Sequence, residues 1–166
     1  MHAPTGLITK DDLISLQLPA TIDEVIAQLE KIIIYCQTNN NCAGYFAVLY
    51  HKVTCKVREC ININDFEDGL RMERLDVTFA NRYLIAFYDW IAGKPTTNSW
   101  KIAFDAIAPD KSLVLQHLLL GMNAHINLDL GIATTSVMEG SVLEDIHKDF
   151  DTINSILASM IDNIEA

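Results

Sequence analysis

The chain has 166 residues, the usual span of one domain and enough to enclose a substantial core. Half of its residues are hydrophobic, and it has only 7 Gly and 4 Pro, so it is a folding chain in which long helices are permitted. A net charge of −10 argues against binding nucleic acid or an anionic membrane, both of which require a basic surface.

The acid is concentrated late: from Glu139 onward there are seven Asp or Glu and one Lys, which reads as a solvated face. MHAPTGLITKDD at the N-terminus lacks a charged-then-apolar signal pattern, and no apolar run is long enough to span a bilayer. A soluble cytoplasmic protein is the expectation. Cys36, Cys42, Cys55 and Cys60 contain no CxxC pair, so reduced and mostly buried thiols are expected. Cys36 and Cys42 flank a turn, but a disulfide there needs an oxidising compartment.

Residues 1–20 read as irregular, punctuated by Pro4, Gly6 and Pro19. The first helix starts after Thr21, which forms a capping box with Glu24, and the run Asn39–Asn41 stops it. A second helix is expected over about 42–61, with Phe46, Leu49, Tyr50, Val53, Val57 and Ile61 as its stripe and His51 exposed. The Asp- and Asn-rich turn Asn62–Gly69 leads to a third helix over about 70–92. Its core face is Leu75, Phe79, Tyr83, Ala86 and Trp90. Asp76 lies on that apolar side and Arg82 borders it, so both need partners, while Asn81 faces the solvent flank.

Gly93 and Pro95 break the chain before a short helix, Ser99–Ile107, that buries Trp100, Ala103 and Phe104. Asp110 is a plausible N-cap for a helix over 111–130, with Gly131 as its C-cap and Ile132–Gly140 as a linker. Ser141 and Glu144 form a second capping box. Leu143, Ile146, Phe150, Ile153, Leu157, Met160 and Ile164 then keep an unbroken three-four spacing. That stripe fits a helix closing a bundle, the favoured reading, or the seam of a homodimer. A single all-α domain follows, a bundle of five to six helices around the polar-studded helix 111–130.

That helix carries QHLLLGMNAHINLDLGIA, residues 116–133, with polar groups on almost every side. His117, Gly121, His125 and Asp129 form one winding stripe. His125 and Asp129 are one turn apart and can touch, whereas His117 stands about 12 Å from His125 along the axis. Gly121 permits a helix break or a close helix–helix approach.

At LDVTFANRYL (75–84) and LQHLLLGMNAHINLDL (115–130) the chain resembles the bacterial family catalogued as domain of unknown function 5995. The resemblance extends from about FAVLYHKVT to the end of NAHINLDL. It implies an all-helical fold and groups Asp76, Asn81, Arg82 and Tyr83 with Asn123, His125 and Asp129 as signature positions. It brings no established reaction.

Three chemistries fit these residues. The favoured one is a buried hydrogen-bond network or pocket joining His125 and Asp129 to Arg82 and Asp76, with Asn123 and Asn127 as further members. A divalent-metal site would use His125, Asp129 and Asp76, although structural and catalytic sites want at least three protein ligands and HxxxD is a common spacing. His125 beside Asp129 is also an oriented imidazole fit for general acid–base work, as in a water-activating hydrolase. No nucleophile motif, phosphate loop or other cofactor motif accompanies it. A small-molecule ligand is not identified.

Overall fold

The computed structural model describes residues 7–106, 114–138, 140 and 143–162. Among these residues every regular element is helical: α1 (Lys10–Ile14), α2 (Ile22–Thr38), α3 (Gly44–Asn62), α4 (Gly69–Ile91), α5 (Asn98–Asp105), α6 (Val114–Ala124), α7 (Leu130–Val137) and α8 (His147–Asp162). A π-helical turn, His125–Asp129, joins α6 to α7, and a 3₁₀ turn, Leu143–Ile146, leads into α8. The all-α bundle expected from the sequence is the fold observed. No described helix is long and apolar enough to cross a membrane.

Local signals set most helix ends. Thr21 and Glu24 form the expected capping box on α2. Asn40 (φ 50°) and Asn64 (φ 56°) follow α2 and α3 in the left-handed region that Asn tolerates, and Gly93 (φ 74°) does the same after α4. The N-terminal region is less irregular than expected. Thr9 and Asp12 form a capping box, not expected from the sequence, that starts α1, and Leu13 is fully buried against the core.

The segment after Asp129 departs most from expectation. Gly131 does not end the helix, and residues 132–137 are not a linker but the body of α7. Ala133 and Thr134 are buried there. The hydroxyls of Thr135 and Ser136 donate to the carbonyls of Gly131 and Ile132, so these polar residues are accommodated within the helix. The expected caps Asp110 and Ser141 lie outside the described residues.

Two apolar clusters make the core. The larger gathers Leu29, Phe46, Tyr83, Leu84, Phe87 and Trp100, among others. The smaller gathers Val57, Met72, Leu75, Ala133, Ile146 and Ile156. Phe79 packs against both. Helix α4 serves both clusters and packs on α1, α2, α3, α5, α7 and the π turn. Of the expected stripe, Ile146 in the 3₁₀ turn and Phe150 and Ile153 in α8 face the smaller cluster; Ile156, which the stripe did not include, is buried there with them, so α8 closes the bundle.

The late acidic segment is not solvated throughout. Asp149 is fully buried, takes Arg71 Nη2 at 2.6 Å and accepts the Glu67 N–H at 2.7 Å. This clamp ties α8 to the first turn of α4 and to the loop before it.

Candidate functional site

The polar centre stands where the two clusters meet. Ala124, on one side of the π turn, belongs to the larger cluster and Ala133, on the other, to the smaller. Between them the Leu130 N–H donates to the His125 carbonyl, five residues back, which adds one residue to the turn. Both ends of that turn, His125 and Asp129, point inward, with relative exposures of 3% and 0%.

Asp129 is the acceptor on which the centre converges. Its Oδ1 receives Arg82 Nε from α4 at 3.2 Å. Its Oδ2 receives Trp100 Nε1 from α5 at 2.7 Å and faces His125 Nδ1 at 3.3 Å. Three elements are therefore tied to one carboxylate, which offsets the cost of burying it. Arg82 retains a solvent-exposed part and links the centre to the surface.

His125 is enclosed by rings. Phe79 stacks on it at 3.5 Å between centroids with planes 8° apart, and Tyr50 meets it edge-on at 4.6 Å. Phe46 approaches from another side at 5.7 Å. Burial pushes the imidazole pKa below its usual value of 6.5, with the Asp129 bond and charge opposing that shift. A bond from Nδ1–H to Asp129 leaves the Nε2 lone pair as the free end of the ring. Nε2 is buried and has no hydrogen-bond partner among the described residues.

The structure brings together only part of the expected constellation. His125, Asp129 and Arg82 meet as expected, but Arg82 makes one bond to Asp129 and does not reach Asp76 in the hydrogen-bond pattern. Asp76 is buried on α4 with Oδ2 unpartnered, and burial raises its pKa to about 7, helped by Glu73. The Tyr83 hydroxyl, like Asp76 Oδ2, is buried without a hydrogen-bond partner among the described residues.

Asn81 is not on the solvent flank. Its amide donates to the Pro19 carbonyl at 3.2 Å, so it anchors the chain before α2 rather than joining the centre. Asn123 and Asn127 are exposed and bond to each other on the outer side of the helix. The side chain of His117 lies outside the described residues. His51 is half-buried, with Glu30 at 3.3 Å, rather than exposed. The thiols are free, and burial pushes Cys36 up to about 12.

The expected metal set is not assembled. Asp129 already takes three donors, and among the described residues no three His, Cys, Asp or Glu side chains are placed to hold one ion. Trp100 and Tyr50 are the members that sequence reasoning missed, having read both as core. One signal was available for Trp100: a buried indole N–H needs an acceptor.

Gly121 explains how close the elements come. A Cβ there would lie 2.6 Å from Phe46 Cδ2, so α6 meets α3 at a distance only glycine allows. Phe46 in turn touches Tyr83, Trp100 and His125.

No curated protein and no solved structure matches the chain. The model of one family, described as a family of unknown function (DUF5995), matches residues 22–166, a span that includes every residue of this centre. The chain belongs to that family.

Proposed function

We propose that the protein carries a buried acid–base centre in which Asp129 orients His125 and His125 Nε2 is the working atom, with water as the species it activates. The observation that carries this reading is the asymmetry of the ring: Nδ1 faces Asp129 Oδ2 at 3.3 Å, while Nε2 is buried with its bonding capacity unused. A network serving packing alone gains most when every member is satisfied. A depressed imidazole pKa keeps the ring neutral, and only the neutral ring accepts a proton. Asp129 then faces the imidazolium that forms, as a carboxylate behind a catalytic histidine does. The π turn fits this reading, because single π turns recur at functional sites.

The experiment is turnover of chromogenic esters, phosphomonoesters and phosphodiesters by the wild type, His125→Gln and Asp129→Asn. Wild-type hydrolysis that falls by about 100-fold or more in His125→Gln supports the reading. Equal rates in the folded His125→Gln variant contradict it.

A second reading, a packing keystone without chemistry, is favoured by the closure of the site and by the three donors on Asp129. It expects His125→Gln to alter the melting temperature and nothing else. Homodimerisation through α8 draws no support from Ile146, Phe150 and Ile153, which pack on the chain's own smaller cluster.

A further inference from the structure

The polar atoms left over around His125 form a pattern of their own. Tyr50 Oη, Asp76 Oδ2 and His125 Nε2 are buried without a hydrogen-bond partner among the described residues. Their residues are all more than nine-tenths buried, at 5%, 8% and 3% exposure. They come from three elements that pack together: α3, α4 and the π turn.

Rings fix their mutual placement. Phe79, three residues along α4 from Asp76 and so on the same face, stacks on His125. The Tyr50 ring lies 4.6 Å from His125 and 6.0 Å from Phe79. Burial, and after it the charges of Asp76 and Asp129, raise the Tyr50 hydroxyl pKa well above its usual value, so Asp76 lies near enough to Tyr50 to act on it.

The chemistry of the trio is complementary to a small guest. The Nε2 lone pair accepts, the carboxyl oxygen accepts, and the phenol both donates and accepts. None of the three bonds to another within the protein. One water satisfies two to four such groups at once, which is the usual way a folded protein meets a polar pocket of this kind.

We propose that Tyr50 Oη, Asp76 Oδ2 and His125 Nε2 hold one interior water between α3, α4 and the π turn, and that Tyr50 is its positioning residue. The proposal deepens the acid–base reading, on which the use of that water rests: it names the species at Nε2 and the group that aims it. The water donates one hydrogen to His125 Nε2 and the other to Asp76, and Tyr50 donates to its oxygen.

The test is a high-resolution crystal structure of the full chain, wild type and Tyr50→Phe, with the His125 ring nitrogens titrated by ¹⁵N NMR in both. The wild type should show an ordered water within about 3.2 Å of His125 Nε2 and of Tyr50 Oη. Tyr50→Phe should displace it and lower the His125 midpoint by about half a unit or more, since a polar neighbour is lost. Asp76→Asn, which keeps the shape, serves if Tyr50→Phe does not fold, and should retain the water with an altered His125 midpoint. A dry site, with Tyr50 Oη bonded directly to Asp76 or His125 and an unchanged midpoint in the variant, overturns the proposal. The two readings fail separately: a water beside a ring protonated at Nε2 sinks the acid–base reading alone, and a dry Nε2 lone pair sinks the water alone.

Discussion

Asp129 is the residue whose loss should cost most. Asp129→Ala leaves the Trp100 N–H and Nδ1 of His125 without their acceptor and Arg82 without its partner. Stranding buried partners of this kind costs about 3–5 kcal/mol, to be read from urea unfolding of variant and wild type. Two other buried groups make stability depend on pH with opposite signs. His125 has a depressed folded pKa, so its contribution is intact above 6.5 and is lost as pH falls below it. Asp76 has a raised folded pKa, from 3.8 to about 7, so its contribution is intact below about 4 and is lost as pH rises towards 7. Asp76→Asn should therefore remove a decline in stability between about pH 4 and 7, seen in unfolding midpoints across that range; a decline of wild-type size in the variant would count against a buried Asp76. Of the centre's residues, the helical wheel identified Asp76, Arg82, His125 and Asp129, because a charge on an apolar sector must find a partner. Asn81 and Asn123 were grouped with them through the family motif and Asn127 as a further network member, and neither ground says which way an amide points. Trp100 and Tyr50 were hidden because an aromatic residue at core spacing looks the same with or without a polar duty.

Among the helices, two glycines in one polypeptide stretch play opposite parts. Gly121 sits where a Cβ would meet the Phe46 ring, and Gly131 sits in α7 with nothing within 4 Å of that position. Gly121→Ala should destabilise by about 1–3 kcal/mol and push Phe46 towards His125. Gly131→Ala should stabilise by about 0.5–1 kcal/mol, the ordinary gain of alanine over glycine inside a helix. Thermal melts of the two variants check both signs, and a destabilised Gly131→Ala would mean that α7 is not helical at that point. The same pair shows why the sequence misjudged this region. A glycine followed by small and hydroxyl residues carries a stop signal, and the burial of Thr134 and of Ala133, which joins the smaller cluster, overrides it. The capping boxes misled far less: Thr21 with Glu24 fixed the start of α2 from local chemistry alone.

At the scale of the whole molecule, α8 is held by a buried ion pair as well as by its stripe. Asp149→Ala removes the partner of Arg71 and the acceptor of the Glu67 N–H, and should cost about 3–5 kcal/mol in urea unfolding while leaving the centre around His125 folded. The all-α class and most helix positions were legible as hydrophobic periodicity. The clamp was not, because an acid among acids reads as solvated until a distant arginine is known to face it. The two clusters, the π turn between them and the polar centre at that turn underlie one reading above all, that His125 is a neutral, oriented base. Its most direct test is ¹⁵N NMR of the His125 ring in the folded wild-type protein at neutral pH. A proton on Nδ1 and a bare Nε2, persisting to a pH below 6.5, are the expected result; a proton on Nε2, or a ring already cationic at neutral pH, would contradict that reading.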